Sequence, residues 1–219
     1  MSHPSLQIYH KDTYPAIDPS RPELSQAGKT VIVAGGSTGI GFGISRGFAL
    51  AHASRVIILG RRLDVVKDAA SKIQQEVGSS TEVEGRAVDI SSIEQIRKLW
   101  SNLATEGVYV DVLVLSAAAY GKSAPILEMG SEAAWADFET NVRSPLYLAE
   151  GFYKQKTGTG QKVSHIMFLQ FLQSPSAPCR RNDYQFAPTD SVTVPCQYFY
   201  HRGLHVDFHG SRASNLRPH

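Results

Sequence analysis

Gly35, Gly39 and Gly41 lie in AGGSTGIG, residues 34–41, directly behind an apolar run, and this spacing suits them to bind a pyrophosphate. Glycines so placed permit a tight turn, let backbone N–H groups approach phosphate oxygens and let a following helix pack close to the preceding strand. Ser37 and Thr38 add two hydroxyls inside the same turn. A helix beginning at Ile40 would direct its positive pole at the bound anion. A Gly-rich turn can equally be a plain connection, so the flanking elements decide between the two.

Those elements are well marked. Thr30 to Ala34 is short, β-branched and free of charge, as expected of a strand buried on both faces. Ile40, Ile44, Phe48 and Ala51 then recur at helical spacing. Arg55 to Gly60 reads as a second strand, and Leu63, Val66, Ala70, Ile73 and Val77 as one face of a second helix. The strand, turn, helix and second strand make one βαβ unit, which favours the nucleotide reading. Glu82 to Val88 alternates as a third strand, and Ser91 with Glu94 forms a capping box ahead of Ile93, Ile96, Leu99 and Leu103. Val110 to Leu115 is a fourth strand, and Ser131 to about Tyr153 is helical, with a kink expected at Pro145. Val163 to Leu169 is a fifth strand. Regular alternation of this kind predicts an α/β, doubly wound parallel sheet with helices on both faces.

The ends differ from this middle. Residues 1–28 carry four prolines and read as an irregular lead with no signal peptide or membrane span. Beyond about residue 170 the chain has no Glu, Lys or Ile, while Pro175, Pro178, Pro188, Pro195 and Pro218 recur among arginines and histidines. Residues 171–219 are therefore expected to be a poorly ordered, divergent tail behind a 29–170 domain. Cys179 and Cys196 lack metal-ligand spacing and read as free thiols. His201, His205 and His209 are spaced by four, but Gly203 and Gly210 argue against the stable helix that a metal pair would need. With 22 Lys and Arg against 20 Asp and Glu, the net charge of +2 gives no argument for nucleic acid or an anionic membrane. A cytoplasmic protein is expected.

Over residues 29–170 the chain resembles the short-chain dehydrogenase/reductase family, whose fold is the Rossmann fold. Gly35, Gly39, Ile40 and Gly41 match the glycine signature TGxxxGIG, with Ala34 in place of its threonine. The resemblance implies that Ser37 and Thr38 meet phosphate oxygens. At the end of the second strand the family selects NAD with an acidic residue or NADP with basic ones. Gly60, Arg61 and Arg62 stand there, so NADP is expected over NAD, although Arg62 also reads as a solvated surface charge. Asp89 and Ile90 fall where relatives contact the adenine, while Asp89 also suits an ordinary helix start. Ser116, Ala117, Ala118 and Ala119 replace NNAG, keeping small residues around the cofactor but losing its asparagine and glycine. Asn141 matches the family's active-site asparagine, which anchors a water in a proton relay.

The resemblance implies an oxidoreductase that reduces a ketone or oxidises an alcohol. In such enzymes a tyrosine moves the proton and a lysine four residues later lowers its pKa. No such pair exists in this sequence. Tyr184 is followed at that distance by Pro188 and Tyr198 by Arg202, while Tyr153 has Lys156 three residues on. Ser174 is the nearest candidate for the family's serine but reads as a loop residue. Counterparts of the family's sixth and seventh strands are also missing, so the sheet is expected to be incomplete on its C-terminal side. The alternative function is a nucleotide-binding pseudoenzyme, or a truncated product whose tail is out of frame.

Overall fold

The computed structural model describes residues 13–119, 126–155, 165–168, 170–172 and 198–200. The β-branched and leucine-rich runs form four parallel strands: β1 Thr30–Ala34, β2 Arg55–Gly60, β3 Glu82–Ala87 and β4 Val112–Leu115. A fifth, β5 His165–Phe168, joins the same sheet, with spatial order β3-β2-β1-β4-β5. Every pairing in it is parallel, and Ile32 in the middle strand stands opposite both Ile57 and Leu113. Parallel strands need crossovers, and the helices supply them: α1 Gly39–Leu50, α2 Leu63–Val77 and α3 Ile93–Thr105, with α4 Ile126–Met129, α5 Ser131–Phe138 and α6 Ser144–Tyr153 between β4 and β5.

Each face of the sheet is covered, so its strands carry no polar alternation in the centre. Ile32, Ile57, Leu59, Leu113 and Leu115 pack with Ile96, Leu99 and Leu103 of α3 and with Leu148 and Phe152 of α6. On the opposite face Val31, Val33, Val56, Ile58 and Val114 meet Ala49 of α1 and Val66, Ala69, Ala70 and Ile73 of α2. The expected doubly wound sheet is therefore present across the described residues. At its β3 border, Arg55 reaches Glu82 at 3.3 Å and Glu84 at 3.1 Å, and Arg86 reaches Glu84 at 2.9 Å and Glu106 at 2.6 Å. The hydrogen bond from Arg86 holds the Glu106 carboxyl below the usual carboxylate range.

Several boundaries differ from the sequence expectation. The N-cap of α3 is Ser92, whose Oγ accepts from Gln95 N–H at 3.3 Å, and not Ser91. Ser91 is taken by Asp89, whose Oδ1 accepts both its N–H at 3.0 Å and its Oγ–H at 2.8 Å, which moves the helix start one residue on. β4 runs from Val112: Val110 N–H donates to Gln155 Oε1 at 2.8 Å and not to a neighbouring strand, while Asp111 N–H still reaches Thr30 O at 2.9 Å. The segment from Ser131 is not one helix with a kink: Glu139–Arg143 forms a wide π-type turn between α5 and α6. Pro145, in the first turn of α6, has no N–H to offer, and Ser144 N–H and its Oγ at 2.8 Å both go to Glu139 O instead.

In the described part of the lead, Pro15–Ile17 and Pro22–Leu24 are single 3-10 turns. Gln170–Leu172 (β6) pairs antiparallel with Tyr198–Tyr200 (β7), a pairing that composition alone did not indicate. Ser174, Cys179, Tyr184, Cys196, His201, His205 and His209 lie outside the described residues. Among the described residues no helix is long and apolar enough to cross a membrane.

Candidate dinucleotide site

The carboxyl ends of four strands meet at one rim, where backbone groups join them. Gly35 N–H donates to Leu59 O at 2.9 Å, Val88 N–H to Gly60 O at 2.9 Å and Ser116 N–H to Ala34 O at 3.0 Å. The turn from β1 into α1 rises from this rim. Gly35 and Gly39 have φ of +79° and +54°, a region that side chains disfavour. A Cβ on Gly35 would stand 2.7 Å from the Ala117 Cα, so the ends of β1 and β4 can close only on a glycine. A Cβ on Gly41 would collide with the Gly35 carbonyl oxygen and stand 2.8 Å from its carbonyl carbon. This is a cradle that side-chain atoms would fill, and it fits a pyrophosphate.

Gly39, Ile40 and Gly41 precede Phe42, whose N–H makes the first backbone bond of α1, to Thr38 O at 3.2 Å. Thr38 is the N-cap but its side chain caps none of these N–H groups, which leaves the helix pole for a ligand. Ala34 has no hydroxyl to brace the turn. The brace is Ser45 of α1, whose buried Oγ donates to Gly41 O at 2.9 Å and Gly36 O at 3.3 Å. Sequence reasoning missed Ser45. The available signal was a serine one helical turn after Gly41 on the apolar side of the helix.

At the end of β2 a Cβ on Gly60 would come within 3.3 Å of Ser37 Oγ, so the Ser37 hydroxyl lies against the segment that carries Arg61 and Arg62. Both arginines are exposed and neither is held by a carboxylate among the described residues. On the far side, Ile90 is 7 % exposed and packs in the core, and Asp89 is engaged with Ser91 as described. Ser116 follows β4 with its N–H bound to Ala34, and Ala117 fills the space against Gly35. The structure thus brings Gly35, Ser37, Thr38, Gly39, Gly41, Arg61, Ser116 and Ala117 to one end of the sheet.

Asn141 lies in the π-type turn and binds the backbone of Ala119 at two points. Its Oδ1 accepts from Ala119 N–H at 2.8 Å and its Nδ2 donates to Ala119 O at 2.7 Å. Both bonds lie within the protein, so the amide fastens the segment after β4 to the helical layer. Asn141→Ala is expected to cost about 1–3 kcal/mol locally and to speed hydrogen exchange at the Ala119 amide at least tenfold, read by NMR. An unchanged exchange rate would show that the clamp does not hold that segment.

A doubly wound parallel sheet with a glycine cradle at its carboxyl rim defines a nucleotide-binding α/β domain. The family model of the short chain dehydrogenases matches residues 29–168, and the chain belongs to that family. A short chain dehydrogenase of Pseudocercospora fijiensis is 33% identical over 162 residues, covering 71% of this chain and 51% of that protein. A metagenomic short-chain oxidoreductase solved in complex with NADP is 28% identical, with a TM-score of 0.53 over 58% of this chain and 55% of that one. L-sorbose reductase of Gluconobacter frateurii, solved with NADPH and L-sorbose, is 26% identical, with a TM-score of 0.51 over 58% and 47%. The chain spans about half the length of the curated relatives it matches.

Proposed function

We propose that residues 29–168 bind NADP(H) and that the chain is, by family, an oxidoreductase for a ketone or alcohol. The observation that carries the cofactor choice is the end of β2: two exposed arginines directly after Gly60, which itself lies against the Ser37 hydroxyl, with no carboxylate in Gly60-Arg61-Arg62 to repel a phosphate. A guanidinium pairs bidentately with phosphate oxygens, and Arg61, next to Gly60, is the residue proposed to do so. Gly35, Thr38, Gly39, Ile40 and Gly41 would hold the pyrophosphate. Asp89 and Ile90 would border the adenine, and Ser116 and Ala117 the inner part of the cofactor. Bound there, the dinucleotide supplies or accepts a hydride at its nicotinamide. The two related structures solved with NADP and NADPH support the same choice.

Calorimetric titration of NADPH and NADH into the purified chain tests this. NADPH is expected to bind more tightly. Arg61→Ala is expected to weaken NADPH by roughly 10- to 100-fold, the value of one or two hydrogen bonds to a charged group, and to leave NADH unchanged. Tighter binding of NADH to the unaltered chain would overturn the assignment.

A second reading, binding without turnover, rests on one observation: none of the nine tyrosines is followed four residues later by lysine. Tyrosine ionises near 10, and without a neighbouring cation it is a poor acid or base at neutral pH. An absorbance assay with NADPH and a panel of ketones separates the two readings, because oxidation of NADPH requires a proton donor that this sequence pattern does not identify.

A further inference from the structure

Ser45 of α1 is completely buried, and its hydroxyl occupies space that only glycine leaves: a Cβ on Gly36 would stand 2.6 Å from Ser45 Oγ. A helical serine commonly bonds the carbonyl four residues back, as Ser45 does with Gly41 O at 2.9 Å. The same hydroxyl also faces Gly36 O at 3.3 Å, nine residues back and outside the helix. One proton shared between these two carbonyls ties the ends of the phosphate turn together from the inside. Such a tie matters because four of the seven residues 35–41 are glycine, whose backbone otherwise ranges widely. Ala34, at the end of β1, offers no hydroxyl for the purpose.

We propose that Ser45 is a positioning residue for the dinucleotide, its hydroxyl holding the turn in its binding shape before the cofactor arrives. The proposal rests on the dinucleotide reading of the cradle. A side chain with no exposed surface cannot touch the cofactor, so Ser45 acts only through the backbone it holds. With the tie in place, the N–H groups of Gly39, Ile40 and Gly41 are already aimed at the phosphates, and binding does not have to order them. Without it, ordering the turn is charged against affinity. The pyrophosphate is common to NADPH and NADH, so the loss falls on both alike. Arg61, by contrast, is proposed to meet a group that only NADPH carries.

Calorimetric titration of NADPH and NADH into the full chain and its Ser45→Ala variant tests this. Ser45→Ala is expected to weaken both cofactors by the same factor, roughly tenfold, so that the preference between them stays as it was. Ser45→Cys keeps the shape of the side chain but donates weakly, and it is expected to lose affinity as alanine does. In the free Ser45→Ala variant the NMR order parameters of the Thr38 and Gly39 amides are expected to fall, and to recover on saturation with NADPH. Unchanged affinity in Ser45→Ala, with or without a lower melting temperature, overturns the proposal, because the hydroxyl would then serve the fold alone. Full affinity in Ser45→Cys overturns it as well, since shape and not the hydrogen bond would be what counts, and so does a loss confined to NADPH. An unaltered chain that binds neither cofactor overturns the dinucleotide reading itself, and this proposal with it.

Discussion

Gly41→Ala is expected to weaken dinucleotide binding roughly a hundredfold while leaving the sheet folded. The added methyl would collide with the Gly35 carbonyl oxygen and crowd its carbonyl carbon at 2.8 Å. Both atoms belong to backbone, so relief cannot come from a rotamer change. The start of α1 must swing away from β1, and the N–H groups of Gly39, Ile40 and Gly41 then leave the positions from which they reach phosphate oxygens. Losing two charge-assisted hydrogen bonds at about 1.5 kcal/mol each corresponds to roughly a hundredfold loss of affinity. Gly43→Ala is the matched control, because a Cβ there meets nothing within 4 Å. That change is expected to keep affinity and to stabilise α1 by about 0.5–1 kcal/mol, since alanine costs less helical entropy than glycine. Calorimetry with NADPH on both variants reads the contrast. Equal affinities would show that the cradle does not depend on the close approach of Gly41 to Gly35.

The largest loss of stability is expected from Ile32→Ala. Ile32 is completely buried in the central strand and stands opposite Ile57 on one side and Leu113 on the other. Its side chain belongs to the cluster that joins α3 and α6 to the sheet. Truncation removes apolar contacts and leaves a hole that paired neighbours on both sides cannot collapse to fill. The expected cost is about 3 kcal/mol, or roughly 10 °C in the unfolding midpoint. Thermal unfolding followed by circular dichroism measures it. A shift of only a degree or two would mean that the described sheet is not the cooperative core.

The elements most legible in the sequence are those whose signals are local. β1, β2 and α2 fall on their expected boundaries because buried parallel strands need unbroken apolar runs and α2 keeps one apolar face. The glycine cradle was legible for a similar reason, since a missing Cβ is recorded at the position that needs it. Features that depend on another element were not. Ser91 has the composition of a cap, and only the proximity of Asp89 shows that its hydroxyl is already used. Asn141 was recognisable as a polar residue with a purpose, but its partner is Ala119, which is remote in sequence and contributes only backbone. The break between α5 and α6 was expected at Pro145, yet it falls before it, because the chain compensates for a missing donor over the preceding turn. The specificity proposed for Arg61 lies between these cases: its charge is written in the sequence, while the closeness of the preceding Gly60 to Ser37 emerges only when the turn and β2 are folded together.

The lattice of Arg55, Glu82, Glu84, Arg86 and Glu106 has a bearing on solubility. β3 is a terminal strand of the sheet, and a bare terminal strand offers its backbone as a template for amyloid-like growth. Here three of its six residues are charged, and each of the three is bonded across to β2, to the C-cap of α3 or along the strand itself. A chain attempting to add to that border would have to strip water from interlocked ions and break their geometry before gaining any backbone hydrogen bonds. The border thus acts as a gatekeeper against fibre formation, whatever the lattice adds to folding.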